Sequence, residues 1–136
     1  MKKGTVLSLA FFFLLAGCGG SYETEKKLAV EYVNVFLRGD DAEAKKEFVE
    51  KHVQAEMQAF MHLAIGMNGD LSQVISDPEA VAAEKVKEGV AVLLRGKNGE
   101  GIVREQIVFF LDGKVVVAPG DEPDNDLFTE LRAHFD

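Results

Sequence analysis

Two dipeptides, Asn98-Gly99 and Asp112-Gly113, cut a stretch in which the residue character alternates with a period of two. Asn-Gly and Asp-Gly adopt the positive φ angles that two-residue hairpin turns require, so both sites predict a reversal of an antiparallel strand. Three strands follow: Val90 to Lys97, Glu100 to Leu111 and Lys114 to Ala118. A two-residue loop also sets the pairing. Leu111 should face Lys114, Phe109 should face Val116, and Ile107 should face Ala118; across the other turn Lys97 should face Glu100 and Val92 should face Glu105. Opposed residues share a face of the sheet. One face then carries Val90, Val92, Leu94, Val103, Ile107, Phe109, Leu111, Val116 and Ala118, with Glu105 set among them. The other carries Arg95, Arg104 and Gln106 at one end and Val108, Phe110, Val115 and Val117 at the other. The apolar end of that second face needs cover. Either the stripe Phe128, Leu131 and Phe135 of a C-terminal helix lies there, or the patch is a dimer surface.

The chain before the sheet has helical periodicity. From Thr24 to Arg38 the residues Leu28, Tyr32, Val35 and Phe36 recur at helical spacing, and Gly39 ends the run. Asp40 with Glu43 has the form of a capping box for a second helical stretch, Asp41 to about Ile65, with a break near His52 that no breaker residue marks. Its apolar members include Phe48, Val53, Met57, Phe60 and Met61, and Met57, Met61 and Met67 read as core filler. Gly66 to Ser72 is loop by composition. Asp77-Pro78-Glu79 reads as a helix start, yet residues 83–88 fit an edge strand equally well, and both readings stand. The fold class predicted is α+β: N-terminal helices on a curved antiparallel sheet of three to four strands, with a short C-terminal helix.

The first residues give an address. Lys2 and Lys3 precede an uncharged apolar run, Val6 to Leu15, which is about half the length a membrane span needs. It ends in Leu15-Ala16-Gly17-Cys18, and Cys18 is the chain's one cysteine. That stretch resembles the lipobox of bacterial lipoproteins, which implies cleavage before Cys18 and a thioether-linked lipid on its thiol. Residues 1–17 are then a removed signal peptide, 18–23 a lipidated cysteine with a short tether, and 24–136 a single domain. The resemblance implies a lipid-anchored protein on the extracytoplasmic face of a bacterial membrane. Where the cell has two membranes, Gly19 after the lipidated residue favours the periplasmic side of the outer one. Two or three acyl chains make release negligible. Removing Lys2 and Lys3 leaves 13 basic side chains against 23 acidic ones, a formal charge of −10. Such a chain is no natural partner for nucleic acid, and an anionic bilayer repels it, so membrane contact is expected through the lipid alone.

The helix ending YVNVFLRGDDAEA and the sheet run GVAVLLRGKNGEGIVREQIVFFLDGKVVVA resemble the nuclear transport factor 2-like superfamily, in particular its small bacterial lipoproteins. The similarity extends over about Glu25 to Ala118; Val115 stands where relatives often carry an aromatic residue. The resemblance implies a sheet folded over helices into a cone, sometimes with a pocket at its mouth. Function differs widely across such a fold class and is argued from sites.

Glu105 is the residue most open to chemistry. A carboxylate desolvated on an apolar face has a raised pKa and can act as a general acid or base, with His62 and Tyr32 as further candidates; a rim position open to water is the plainer alternative. His52, His62 and His134 do not form a metal set, because His52 and His62 point in different directions on one helical stretch. Asp121, Glu122, Asp124 and Asp126 lack the Gly and terminal Glu of a calcium loop, and they suit the start of a helix. No cofactor motif is present in the sequence. The reading is therefore a non-catalytic, anchored domain that binds an envelope protein or a small apolar ligand, with a small-molecule isomerase or hydrolase built on Glu105 as the alternative.

Overall fold

The computed structural model describes residues 21–67 and 71–136, so the expected signal peptide and lipobox, with Cys18, lie outside the described residues. Helix α1, Glu23–Glu31, runs directly into a π-helical turn, Tyr32–Leu37, closed by the Arg38 amide donating to the Val33 carbonyl at 2.8 Å. Gly39 stops it. A Cβ at that position would stand 2.3 Å from the Val35 carbonyl oxygen, so a residue with a side chain cannot leave the helix by this path. Helix α2, Ala42–His52, is capped by Asp41, whose side chain accepts from the amides of Glu43 and Ala44. The capping residue is thus Asp41, one place beyond the Asp40 expected from the box pattern.

The long helical stretch is two helices. Val53 is extended and fully buried, and helix α3, Ala55–Ile65, starts two residues later. The interruption is tertiary in origin: the Gln54 amide donates to the Val115 carbonyl at 2.9 Å and its side-chain amide to the Leu111 carbonyl at 2.7 Å. These bonds to a strand outweigh the one or two helical bonds given up. A 3₁₀ turn, Leu71–Gln73, leads into the sheet.

The sheet has four antiparallel strands in sequential order: β1 Ser76–Val86, β2 Gly89–Lys97, β3 Val103–Leu111 and β4 Lys114–Val117. Residues 83–86 are therefore strand, and Lys87-Glu88 forms the turn to β2, with Lys87 at a φ of 57°. Two register shifts in β1, at Ser76/Glu79 and Ala80/Ala82, interrupt this edge strand, and such irregularities protect an edge from pairing with other chains.

The turn at Asp112-Gly113 is the predicted one, with Leu111 opposite Lys114. A shift follows it, so Phe109 faces Val117 in place of Val116. The turn at Asn98-Gly99 is not a two-residue turn. Lys97 faces Val103 across a five-residue loop, Asn98 to Ile102, so Arg95 faces Glu105 and Val92 faces Val108. Asn98 builds that loop: its buried side-chain oxygen accepts from the amides of Glu100 and Ile102, and Gly101 supplies the left-handed position at φ 80°. The register moves by an odd number of residues, which exchanges the faces of β3 relative to β2.

The core follows the corrected register. Val92, Leu94, Val108, Phe110 and Val115 face the N-terminal helices, where they meet Leu28, Tyr32, Val33, Phe36, Phe48, Val49 and Val53. The opposite face carries Ala91, Leu93 and Ile107, covered by Phe128 and Leu131 of helix α4, Asp126–Arg132, with Phe135 beside them. A C-terminal helix does cover the second face, but over Leu93 and Ile107. Phe110, placed on that face by the two-residue register, lies on the other.

Candidate functional site

Glu105 is the first candidate to locate, and its setting differs from the one expected. It stands on the face covered by α4, near the ion pairs and away from the helix-facing core. One carboxylate oxygen accepts from Arg95 Nε at 3.1 Å and Nη2 at 2.7 Å, and the other accepts from Arg132 Nε at 2.9 Å. Arg132 belongs to α4 and donates again to Asp136 at 2.9 Å. Burial pushes the Glu105 carboxyl upward, but the hydrogen bonds and charges of Arg132 and Arg95 outweigh it and hold the group below its ordinary value. A carboxylate held in this way is a poor proton acceptor at neutral pH. Its geometry is that of a clamp fastening α4 to the sheet.

The other two candidates lie elsewhere. Tyr32 is buried among the N-terminal helices, its ring stacked on Phe36 at 5.6 Å and tilted against Phe48 at 6.1 Å. Burial pushes its hydroxyl up to about 12. His62 sits on α3 beside Ala42, Glu43, Lys46 and Glu50 of the α2 region. The structure does not bring Glu105, Tyr32 and His62 together. His52 tilts against Phe48 at 5.1 Å. Asp121 holds Arg104, accepting from its Nε at 2.7 Å, and also accepts from the Glu105 amide at 2.9 Å. Asn125 caps α4 by accepting from the Phe128 amide at 3.1 Å.

A cleft of about 230 Å³ between the Leu71–Gln73 turn and the start of β3 is lined by Arg104, Glu105, Gln106, Asp121 and Glu122. Its charged groups are already engaged: Arg104 is paired with Asp121 and also donates to Gln73 at 3.2 Å, Glu105 is held by Arg95 and Arg132, and Glu122 accepts from Asn125, while Gln106 donates to the Ala118 carbonyl at 2.8 Å. The second opening is mostly apolar. About 550 Å³ lies between the π-helical turn and the end of α3, bounded by Phe36, Leu37, Ala64, Ile65, Met67 and Leu71, with Asp40 and Lys45 also in its lining.

Large apolar side chains are exposed in this groove and outside it. Phe60, Leu63 and Met67 are 65%, 70% and 69% exposed, and Leu71, Ile102 and Val103 are exposed as well. Phe60 and Met67, read from sequence as core, are therefore surface residues. Met67 and Leu71 line the groove beside Leu37, whereas Val103, two residues from Glu105 on β3, lies on the sheet face that α4 covers. Arg38 donates to the Val74 carbonyl, and the Gly99 amide donates to the Ser72 carbonyl at 2.8 Å, which joins the 98–102 loop to the Leu71–Gln73 turn. The chain enters the domain at the start of α1, and at helical rise the fifteen residues Glu23 to Leu37, α1 and its π-helical turn together, put Tyr22 about 20 Å from Leu37. Among the described residues, Val81 and Leu127 are the other large apolar side chains left in water.

One sequence signal marks the exposed residues of α3. The helix AEMQAFMHLAI has apolar residues around its whole circumference, and a helix of that kind needs cover on more than one side. Within the fold α3 packs chiefly on α2, and its outer side stays bare. No family model, no curated protein and no solved structure matches the chain. Among the described residues no helix is long and apolar enough to cross a membrane.

Proposed function

We propose that this chain is a lipoprotein, anchored through Cys18 on the extracytoplasmic face of a bacterial membrane, and that its nuclear transport factor 2-like domain is a non-catalytic docking module. The observation that carries the reading is the exposed apolar set on α3 and at the groove beyond its end, Phe60, Leu63, Met67 and Leu71. Uncovered apolar area of a few hundred Å² is the mark of an interaction site. Met67 and Leu71 lie by the groove at Leu37, at the end of the first helical segment far from Tyr22. The leash between Cys18 and Glu23 reaches at most about 14 Å, so the surface points away from the bilayer and toward a protein. The clamped state of Glu105 supports the same reading, since the carboxylate is occupied by two guanidinium groups.

Two measurements test it. Cells fed an alkyne fatty acid should label the wild type and not Cys18→Ser; a labelled, membrane-bound Cys18→Ser ends the lipoprotein reading. A photo-crosslinking residue in place of Met67 or Leu71 should form a protein adduct in intact cells, whereas one at Val81 should not. Equal yields at all three positions would remove the docking surface.

A further inference from the structure

Asn98-Gly99 opens the loop between β2 and β3, and it is also a chemically labile pair. Asparagine is a thermolabile residue, and a following glycine puts no side chain in the way of its own nitrogen when that nitrogen attacks the asparagine amide. We propose that Asn98 is a spontaneous deamidation site that the folded 98–102 loop holds shut, and that reaction there, once the loop opens, detaches the loop from the Leu71–Gln73 turn irreversibly. The Gly99 nitrogen gives its proton to solvent and attacks Cγ of Asn98. The N–Cγ bond forms, the Cγ–Nδ2 bond breaks, and Nδ2 takes up a proton and leaves as ammonia. Water then opens the cyclic imide at either of its carbonyls, leaving an aspartate or an isoaspartate at position 98.

In the folded loop the reacting groups are all engaged elsewhere. The attacking nitrogen is committed to another segment, since the Gly99 amide donates to the Ser72 carbonyl at 2.8 Å. The Asn98 side-chain oxygen accepts from the amides of Glu100 at 2.9 Å and Ile102 at 3.0 Å, and the departing Nδ2 donates to Gln73 Oε1 at 3.4 Å. The backbone of Asn98 is fixed as well: its amide donates to the Ile102 carbonyl at 2.9 Å, and its carbonyl accepts from the Gly101 amide at 3.0 Å. Asn98 is 4% exposed, so the water and base that the reaction needs are kept off. Freeing the nitrogen and the side-chain oxygen breaks three short hydrogen bonds, each favouring the closed loop about five-fold, so closure should slow the reaction by roughly 10²-fold.

The isoaspartate product cannot rebuild the loop. Its main chain runs through the former side chain and is longer by a methylene, so the oxygen that held Glu100 and Ile102 no longer stands over their amides. Gly99 is displaced with it from Ser72, and the Leu71–Gln73 turn loses its tie to the sheet. The control point is Gly101. It sits at a φ of 80° with nothing within 4 Å of where a Cβ would stand, so a β-branched residue there strains the loop's left-handed position without meeting the rest of the fold.

The test ages the full-length protein in warm, mildly alkaline buffer, with and without denaturing urea. Peptide mapping by mass spectrometry follows the mass change at Asn98 and separates isoaspartate from aspartate. The unfolded chain should deamidate roughly 10²-fold faster than the native one. Gly101→Val, with its circular dichroism spectrum kept, should react about ten-fold faster than the native wild type, because a left-handed β-branched residue opens the loop. Gln73→Ala, which removes the acceptor of the departing Nδ2, should react about two-fold faster or more and serves where Gly101→Val does not fold. Native chains that carry isoaspartate should lose amide-exchange protection at Glu100 and Ile102. Equal rates with and without urea overturn the proposal, as do wild-type rates in the folded variants, and protection that survives isoaspartate formation overturns the detachment.

Discussion

Replacing Glu105 by Gln should destabilise the domain by about 1–2 kcal/mol at neutral pH, and the loss should disappear in acid. The side chain keeps its shape, but the two guanidinium groups lose the charge they share. A well-placed charge-assisted hydrogen bond contributes roughly 1.5–3 kcal/mol when buried and an exposed ion pair contributes about 0–1. Glu105 is 19% exposed, Arg132 28% and Arg95 44%, so the Arg132 contact belongs between these limits and the Arg95 contact near the lower one. For a domain of this size a loss of that order lowers Tm by roughly 4–10 °C. The pH dependence has a definite sign. The folded-state carboxyl is held below its ordinary value of 4.5, so its contribution is fully present above that value and fades as pH falls toward the lowered one. Gln does not titrate, so the gap between the two melting curves should be constant above about pH 5.5 and close below pH 4.5. The double variant Glu105→Gln, Arg132→Ala should lose less than the two single losses together, because both remove one contact. Identical melting at pH 7, or a gap that persists through the acid range, would refute the clamp.

Three further outcomes follow from the packing. Phe110→Asp should prevent folding or cost more than about 4 kcal/mol, because Phe110 is 1% exposed among Val92, Val108 and Val115; Arg104→Asp should cost about 1 kcal/mol through its Asp121 pair, and equal thermal shifts would contradict the register. Asn98→Ala should cost about 1–2 kcal/mol and raise amide exchange at Glu100 and Ile102, whose hydrogens it holds; unchanged exchange there would mean that the loop is fixed by its glycines. Gly39→Ala should destabilise, against the usual gain from such a change, since the methyl meets the Val35 carbonyl; a higher Tm would show that the α1 exit has room.

The parts of this fold that sequence reveals are those decided within a few residues. The first helix is marked by its apolar spacing and by Gly39, the sheet by its period, and the β3–β4 turn by Asp112-Gly113, all found where expected. What sequence hides is decided at a distance. Nothing between Asp41 and Ile65 interrupts a helix, and the chain breaks at Val53 because strand atoms some sixty residues onward take its neighbour's hydrogen bonds. The segment AVAAEKV has good helix formers, yet the open edge of β2 offers it ladder bonds along nearly its whole length.

The candidate site turned on one loop. Asn98-Gly99 has the form of a two-residue turn, but Gly101 two residues later permits a longer one, and Asn98 reaches both amides only in the longer form. Three residues of slip moved Glu105 from an apolar pocket wall to a partnership with Arg95, and with that its chemistry changed from proton transfer to fastening. The residue types associated with catalysis were therefore a poor guide here. The better guide was α3, where apolar residues outnumber what one face can bury: Met61 goes inside, and Phe60 and Leu63 remain in water. A surplus of that kind is not needed for the monomer's core, and exposing it without a partner carries a cost in aggregation.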